Sequence, residues 1–182
     1  MDRREQIRRG AIEVIARKGF HAATTQMIAR EADVAVGTIY NYFRSKDEIL
    51  NHIIEVECER RSGFLRRMIE TSWPARKKLR AFLEMHFDQI RENPALARLM
   101  LQECRFAGRE DPDPIRDRYM EMPRLLGEML SPGGDREESR ILGTAVFGAV
   151  QAFSLQFLLT PQTPEVELDQ AVDYLVDLFA GR

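Results

Sequence analysis

The chain has 182 residues and a formal net charge of -2, with 44% hydrophobic and 31% charged residues. That balance supports one or two folded domains and excludes both a disordered chain and one that holds nucleic acid by bulk charge. Residues 1–52 carry nine Lys or Arg against seven Asp or Glu, so the N-terminal end is net basic and the remainder net acidic.

A first helix is expected from Asp2 to Lys18. Ile7, Ala11, Val14 and Ile15 form its apolar stripe, and Arg3, Arg4, Arg8 and Arg9 face solvent. Those arginines read equally as a solvated face or as a source of one or two phosphate contacts. Gly19 is a left-handed cap, and Phe20 turns the chain back onto the apolar face. Thr24 caps a second helix with Ile28, Ala29 and Ala32 inward, and its free N–H groups suit a phosphate. Val34 plugs a tight turn, and a third helix runs from about Val36 to Phe43 with Ile39 and Phe43 at i, i+4. The outward residues Thr24, Thr25, Gly37, Thr38, Tyr40, Asn41, Tyr42 and Lys46 donate hydrogen bonds without bulk, as a helix-turn-helix against DNA requires.

Ser45 caps a long fourth helix, with Glu48 completing a capping box. Ile49, Leu50, Ile53 and Ile54 tie this helix to the first three, and its continuation to about Thr71 is charged like a connector. The expected domains are therefore 1–47 and 48–182. A fifth helix from about Ala75 carries Leu79, Phe82, Leu83, His86, Phe87 and Ile90 and ends before Asn93-Pro94. A sixth covers about Ala95 to Ala107, a loop spans Gly108 to Pro114, and a seventh runs from Pro114 to Leu130 before the break at Ser131-Pro132-Gly133-Gly134. The eighth, Asp135 to Leu159, and the ninth, Pro164 to Phe179, are the most apolar. No stretch alternates with period two for long enough to argue a strand, so the fold class is all-α with eight to ten helices.

Cys58 and Cys104 stand alone, without the spacing of a disulfide or a metal site. His21, His52 and His86 are dispersed, and no nucleophile elbow, Gly-rich phosphate loop or paired carboxylate is present, which argues against an enzyme. No apolar leader follows Met1. The most apolar run, Val146 to Leu159, is interrupted by Gly148, Gln151, Ser154 and Gln156, so no membrane span and a cytoplasmic location are expected.

Gly19-Phe20, Thr24-Thr25, Ile28-Ala29, Ala32, Val34, Gly37-Thr38-Ile39-Tyr40, Tyr42-Phe43 and Ser45 to Leu50 together resemble the TetR family of bacterial transcriptional repressors. The resemblance covers the first 50 residues or so without a gap. It implies a TetR-like fold: an N-terminal three-helix DNA-binding domain and a C-terminal helical domain for ligand binding and dimerisation. It places the Gly37 to Phe43 helix in the major groove of double-stranded operator DNA. The implied DNA-contacting set is Thr24, Thr25, Val36, Gly37, Thr38, Tyr40, Asn41, Tyr42 and Lys46. Lys46 would neutralise a phosphate, and Asn41 would read a base. Packing with a wet hydroxyl is the alternative for Tyr40 and Tyr42. Two positions depart from the pattern: Asp33 and Ala35 stand where the family commonly has Gly and Ser.

By the same resemblance the last two long helices pair into a homodimer. The small residues Gly143, Ala145, Gly148, Ala149 and Ala152 support this independently by permitting close approach, with Leu168, Ala171, Leu175 and Leu178 along the ninth helix. A hydrophobic small-molecule effector would lie among Phe87, Leu99, Met100, Phe106, Tyr119, Met122 and Phe147, with Phe153 and Phe157. Glu103, Arg105, Gln151 and Ser154 would hold a polar group. No other cofactor is implied. The segments HFDQIRENPALARLMLQECR and VFGAVQAFSLQFLL are similar to the FadR-type branch, whose regulators respond to long-chain acyl-CoA. The expected function is a ligand-responsive repressor that binds palindromic operator DNA as a homodimer and is released by its effector. The alternative is a small-molecule or multidrug-sensing binding protein with a degenerate helix-turn-helix.

Overall fold

The computed structural model describes residues 2–103, 114–160 and 165–181, the side chains at 114–116 and 165–168 excepted. Cys104, Arg105, Phe106, most of the loop expected at 108–114 and the side chain of Leu168 lie outside the described residues. Within them the chain is all-helical, as expected. The helices are α1 Arg3–Lys18, α2 Thr25–Glu31, α3 Val36–Tyr42, α4 Lys46–Glu70, α5 Ala75–Glu92, α6 Pro94–Glu103, α7 Pro114–Leu130, α8 Arg136–Leu159 and α9 Glu165–Ala180.

Local chemistry sets the helix ends. Asp2 caps α1 by accepting from the Arg4 N–H at 3.2 Å, and Gly19 ends it with a φ of 78° while its N–H donates to the Ile15 carbonyl. The capping box at α4 forms as read: the Glu48 N–H donates to Ser45 Oγ at 3.1 Å, and the Glu48 carboxylate accepts from the Arg44 N–H at 2.6 Å. Asn93 Oδ1 accepts from the Leu96 N–H at 2.9 Å, so Asn93-Pro94 ends α5 and also starts α6, since proline costs nothing at a first helical position. Asp135 caps α8 through the N–H groups of Glu137 and Glu138.

By packing, the chain divides into two compact units, Met1–Glu57 with Asn93–Arg116, and Cys58–Glu92 with Asp117–Arg182. The division differs from a boundary at residue 47. Ile49, Leu50, Ile53 and Ile54 of α4 are buried with the first three helices, and α6 packs on α1. Apolar contact therefore carries the first unit past the end of the sequence motif and recruits a helix from far along the chain. In this unit Ile7, Ala11 and Ile15 of α1 are fully buried. α1 meets α2 where Gly10 faces Ala32: a Cβ on Gly10 would lie 2.8 Å from the Ala32 backbone N. Gln6 Nε2 donates to the Ala32 carbonyl at 2.7 Å, which satisfies the end of α2 from the neighbouring helix.

In the second unit α5 is the central helix, with Leu79, Phe82, Leu83 and Phe87 buried. Val172, Leu175 and Val176 of α9 are buried, and α9 packs on α5. Along one edge Arg76 pairs with Asp177, Arg80 with Asp173 and Arg91 with Asp169. Each pair is exposed and contributes little singly, but the series fixes the register of the two helices. α7 and α8 cross at glycines: a Cβ on Gly143 would overlap the Pro123 carbonyl oxygen, and one on Gly127 the Ser139 carbonyl oxygen. Gly143, read from sequence as part of a face for a second subunit, is thus used inside the chain. α8 is long and apolar enough to cross a membrane by length and composition, despite its interrupting Gly, Gln and Ser, and only 22% of its most apolar window is buried within the chain.

Gly10→Ala is expected to destabilise the protein by about 1–3 kcal/mol, because backbone rather than a flexible side chain opposes the new methyl. A urea denaturation midpoint lowered at unchanged slope is the expected result.

Candidate functional site

The helix-turn-helix face is built from short helices with few buried residues. α2 buries Ile28 and Ala29, and α3 buries only Ile39, with Phe43 buried just beyond its end. Thr24 Oγ1 accepts from the Met27 N–H at 3.2 Å, so Thr24 is the expected cap. Thr25 Oγ1 lies 3.4 Å from the Tyr40 hydroxyl, bringing two hydroxyls from two helices to one point on the surface. Tyr40 and Tyr42 are 54% and 40% exposed, so neither ring is committed to the core. Asn41 is exposed, and Val36 and Thr38 are half-buried beside it. Gly37 is exposed, and a Cβ built on it would meet nothing within 4 Å. The fold therefore has no use for a glycine here, although glycine disfavours a helix relative to alanine.

The two departures from the family pattern have local physical consequences. Asp33 sits at φ 50°, the one non-glycine residue in the left-handed region among the described residues. That conformation costs about 1–2 kcal/mol for a residue with a Cβ, which is what a glycine at this place avoids, and Asp is among the residues that tolerate it. The turn is held by the Val34 N–H donating to the Ala29 carbonyl at 2.9 Å. Ala35 is the N-cap of α3 and makes no side-chain capping bond.

Lys46 was read from sequence as a phosphate contact. In the structure its ammonium donates to the carbonyls of Phe20 at 2.6 Å and Ala23 at 2.7 Å, with His21 at 3.4 Å, and it lies 4.4 Å from the Phe20 ring centre. Its donors are thus engaged with the loop between α1 and α2. Glu103, read as an effector contact, accepts from the Phe20 N–H at 3.3 Å from the end of α6. Lys46 and Glu103 hold the two backbone polar groups of one residue. No sequence signal points to this, because the groups they meet are peptide atoms.

The arginines of α1 are largely paired locally. Arg8 and Arg9 both bond Glu5, and the Arg8 hydrogen bond, helped by Arg9 against the opposing effect of burial, pulls the Glu5 carboxyl down to about 2. Arg4 lies 5.2 Å from the Phe43 ring centre, and Arg3 bonds Gln6. Arg8 and Arg9 also line an open polar groove of about 500 Å³ with Gln6, Ala32, Asp33 and Asn93; none of the expected effector residues borders it.

The expected effector residues fall into two groups. Leu99 and Met100 are buried on α6 in the first unit. Phe87, Tyr119, Met122, Phe147, Gln151 and Ser154 belong to the second. Tyr119 and Phe147 meet edge to face at 5.1 Å, and Gln151 Nε2 donates to the Tyr119 hydroxyl. Ser154 is buried and bonds His86, whose Nε2 is 2.8 Å from Ser154 Oγ. His86 was read as one member of an apolar stripe. It is buried between Phe82 and Phe87, and burial, reinforced by the charges of Arg61 and Arg60, holds its imidazole well below the ordinary histidine range. A histidine amid aromatic residues on an apolar face was the available signal. Among the described residues no group of three His, Cys, Asp or Glu side chains is placed to hold a metal.

The family model for bacterial regulatory proteins of the tetR family matches residues 7–53, from within α1 through α2 and α3 to the first turns of α4. The fatty acid metabolism regulator protein of Bacillus subtilis (strain 168) is 30% identical over 166 residues, covering 86% of this chain and 84% of its own. This chain belongs to the TetR family. As a TetR-family protein it is a DNA-binding transcriptional regulator rather than an enzyme, and it is close to the fatty acid metabolism regulators. The structure of FadR from Bacillus subtilis in complex with stearoyl-CoA superimposes with a TM-score of 0.71 at 26% identity, covering 97% of each chain. The fatty acid degradation regulator FadR from Bacillus halodurans shares the fold with a TM-score of 0.79 at 24% identity, covering 99% of this chain and 95% of that one.

Lys46→Met keeps the stem of the side chain and removes its donors. It is expected to lower stability by about 1.5–3 kcal/mol, the range for hydrogen bonds to a charged group. A thermal melt of the DNA-free protein checks it. An unchanged melting temperature would mean that Lys46 matters only when DNA is present.

Proposed function

We propose that this TetR-family regulator represses transcription as a homodimer on palindromic operator DNA and is released by a long-chain acyl-CoA. The observation that carries the DNA-reading role of α3 is Gly37. It is exposed, with open space where a Cβ would stand, on a helix that would be more stable with alanine. A missing side chain that the chain itself does not need is explained by close approach of a phosphodiester backbone. Thr25 and Tyr40, with hydroxyls 3.4 Å apart, would then share a phosphate, and Asn41 would present its amide to an adenine edge.

The dimer is supported by what α8 and α9 leave uncovered. Ile141, Ala145, Gly148, Ala152 and Leu159 follow one another at helical spacing, and all are exposed. Ile141 is 56% and Leu159 72% exposed, while Tyr174 and Leu178 on α9 are 64% and 57% exposed. Gly148 has nothing within 4 Å of a Cβ, so it permits a second helix to approach closely. A monomer would leave this apolar face in water. A C2 dimer would present two copies of α3 to half-sites about one DNA turn apart.

The acyl-CoA reading rests on the similarity to the two fatty acid regulators and on the aromatic set Phe87, Tyr119 and Phe147 in the second unit. Release requires that the effector favour the DNA-incompetent state. α4 suits transmission, since one unbroken helix contributes residues 46–57 to the first unit and 58–70 to the second.

Two measurements test this reading. Gly37→Ala is expected to leave the melting temperature unchanged or slightly raised and to weaken a salt-sensitive complex with the protein's own promoter region by about tenfold or more. Equal DNA affinity would remove α3 from the groove, and no sequence-preferring complex at all would favour a sensing protein with a degenerate helix-turn-helix. Leu178→Asp is expected to convert a dimer to a folded monomer in sedimentation velocity. A monomeric wild type would end the dimer reading.

A further inference from the structure

His86 carries a hydrogen-bond acceptor for which the described residues offer no donor. Its Nε2 lies 2.8 Å from Ser154 Oγ, and Ser154 Oγ donates its one proton to the Val150 carbonyl at 2.7 Å. The hydroxyl must therefore accept from the imidazole, which places the ring proton on Nε2 and a lone pair on Nδ1. That Nδ1 is buried and finds no partner. The rings of Phe82 and Phe87 lie against the imidazole, with centroids 6.1 and 5.3 Å away. Protonation does not relieve Nδ1, because burial and the charges of Arg61 and Arg60 oppose a second positive charge there.

A buried acceptor without a donor costs free energy, and one so placed is a reason to look for the group that fills it. Phe147, Gln151 and Ser154 recur at i, i+4 and i+7 and so share one face of α8. Along that face exposure falls from the half-buried Phe147 and Gln151, the latter bonded to Tyr119, to the buried Ser154 beside His86. A chain entering along this face would pass aromatic surface and reach the His86 ring at the buried end. A plain acyl chain offers no donor, and a thioester oxygen only accepts. The amides of a pantetheine arm each bring, besides a donor, a carbonyl that would itself have to be desolvated and paired. A single hydroxyl on an apolar chain brings one donor and little else to desolvate.

We propose that His86 Nδ1 is the specificity-determining acceptor of the effector site and that the effector is a hydroxylated long acyl chain. This rests on the acyl-CoA reading above and sharpens it. Ser154 is a positioning residue, since it fixes which nitrogen of the ring accepts.

The test titrates the full chain by calorimetry with three probes: hexadecanoyl-CoA, 3-hydroxyhexadecanoyl-CoA and 16-hydroxyhexadecanoyl-CoA. One hydroxylated probe is expected to bind the wild type about tenfold tighter than the plain chain, the ratio that one satisfied buried acceptor supports. In His86→Phe that preference is expected to vanish while the plain chain still binds. If that variant fails to fold, ¹⁵N spectra of the wild-type imidazoles decide, since the chain holds only three histidines. The preferred probe should move the His86 Nδ1 resonance, and hexadecanoyl-CoA should not. Equal affinity for all three probes would mean that water or nothing serves Nδ1, and would overturn the proposal, as would a preference that leaves the Nδ1 resonance in place or survives in His86→Phe. Binding of no acyl-CoA would instead sink the acyl-CoA reading, and this inference with it.

Discussion

The ammonium group of Lys46 is the point on which the DNA-binding half of this molecule turns. It stands at the first residue of α4 and gathers the carbonyls of the loop that joins α1 to α2. The two short helices α2 and α3 depend on their connections, because most helical stability comes from packing and they bury few side chains. The Phe20 carbonyl is held from α4 and its N–H from Glu103 on α6. A loop that would otherwise be loose is thereby tied to two helices, both of which reach beyond the sequence motif.

Strain and economy meet at the turn between α2 and α3. Asp33 takes the left-handed conformation that a glycine adopts without cost, and Ala35 leaves α3 without a side-chain cap. Both losses are local to the turn. The Gly10–Ala32 contact and the Gln6 bond to the Ala32 carbonyl hold the end of α2 from the side of α1. In the second unit the acceptor on His86 stands in the opposite condition: fully buried, fixed in its tautomer by Ser154, and short of a donor.

Much of this was legible in the chain. Apolar residues at helical spacing marked nearly every helix to within a few residues, because a helix that packs on one side must repeat its apolar positions near every 3.6 residues. Thr24, Ser45 with Glu48, and Asn93-Pro94 announced helix ends, since capping uses the side chain next to the end it serves. The outward face of α3 could be read by subtraction once Ile39 and Phe43 were assigned to the core.

Pairings across the chain were decided by tertiary structure alone. The residue letters place Lys46 beside a DNA-binding helix, but the carbonyls it meets belong to residues 20–23 and have no letter of their own. Nothing in the order of residues said that α6 would join α1 rather than the later helices. Nor did it say that Gly143 would be spent on Pro123 instead of a second subunit, or that His86 would find Ser154. The sequence by itself determined the family and the helices, because both rest on short-range patterns of periodicity and capping. Which donors and acceptors remain free for a partner was settled only when the chain folded, because a polar group's availability depends on every neighbour that packing brings to it.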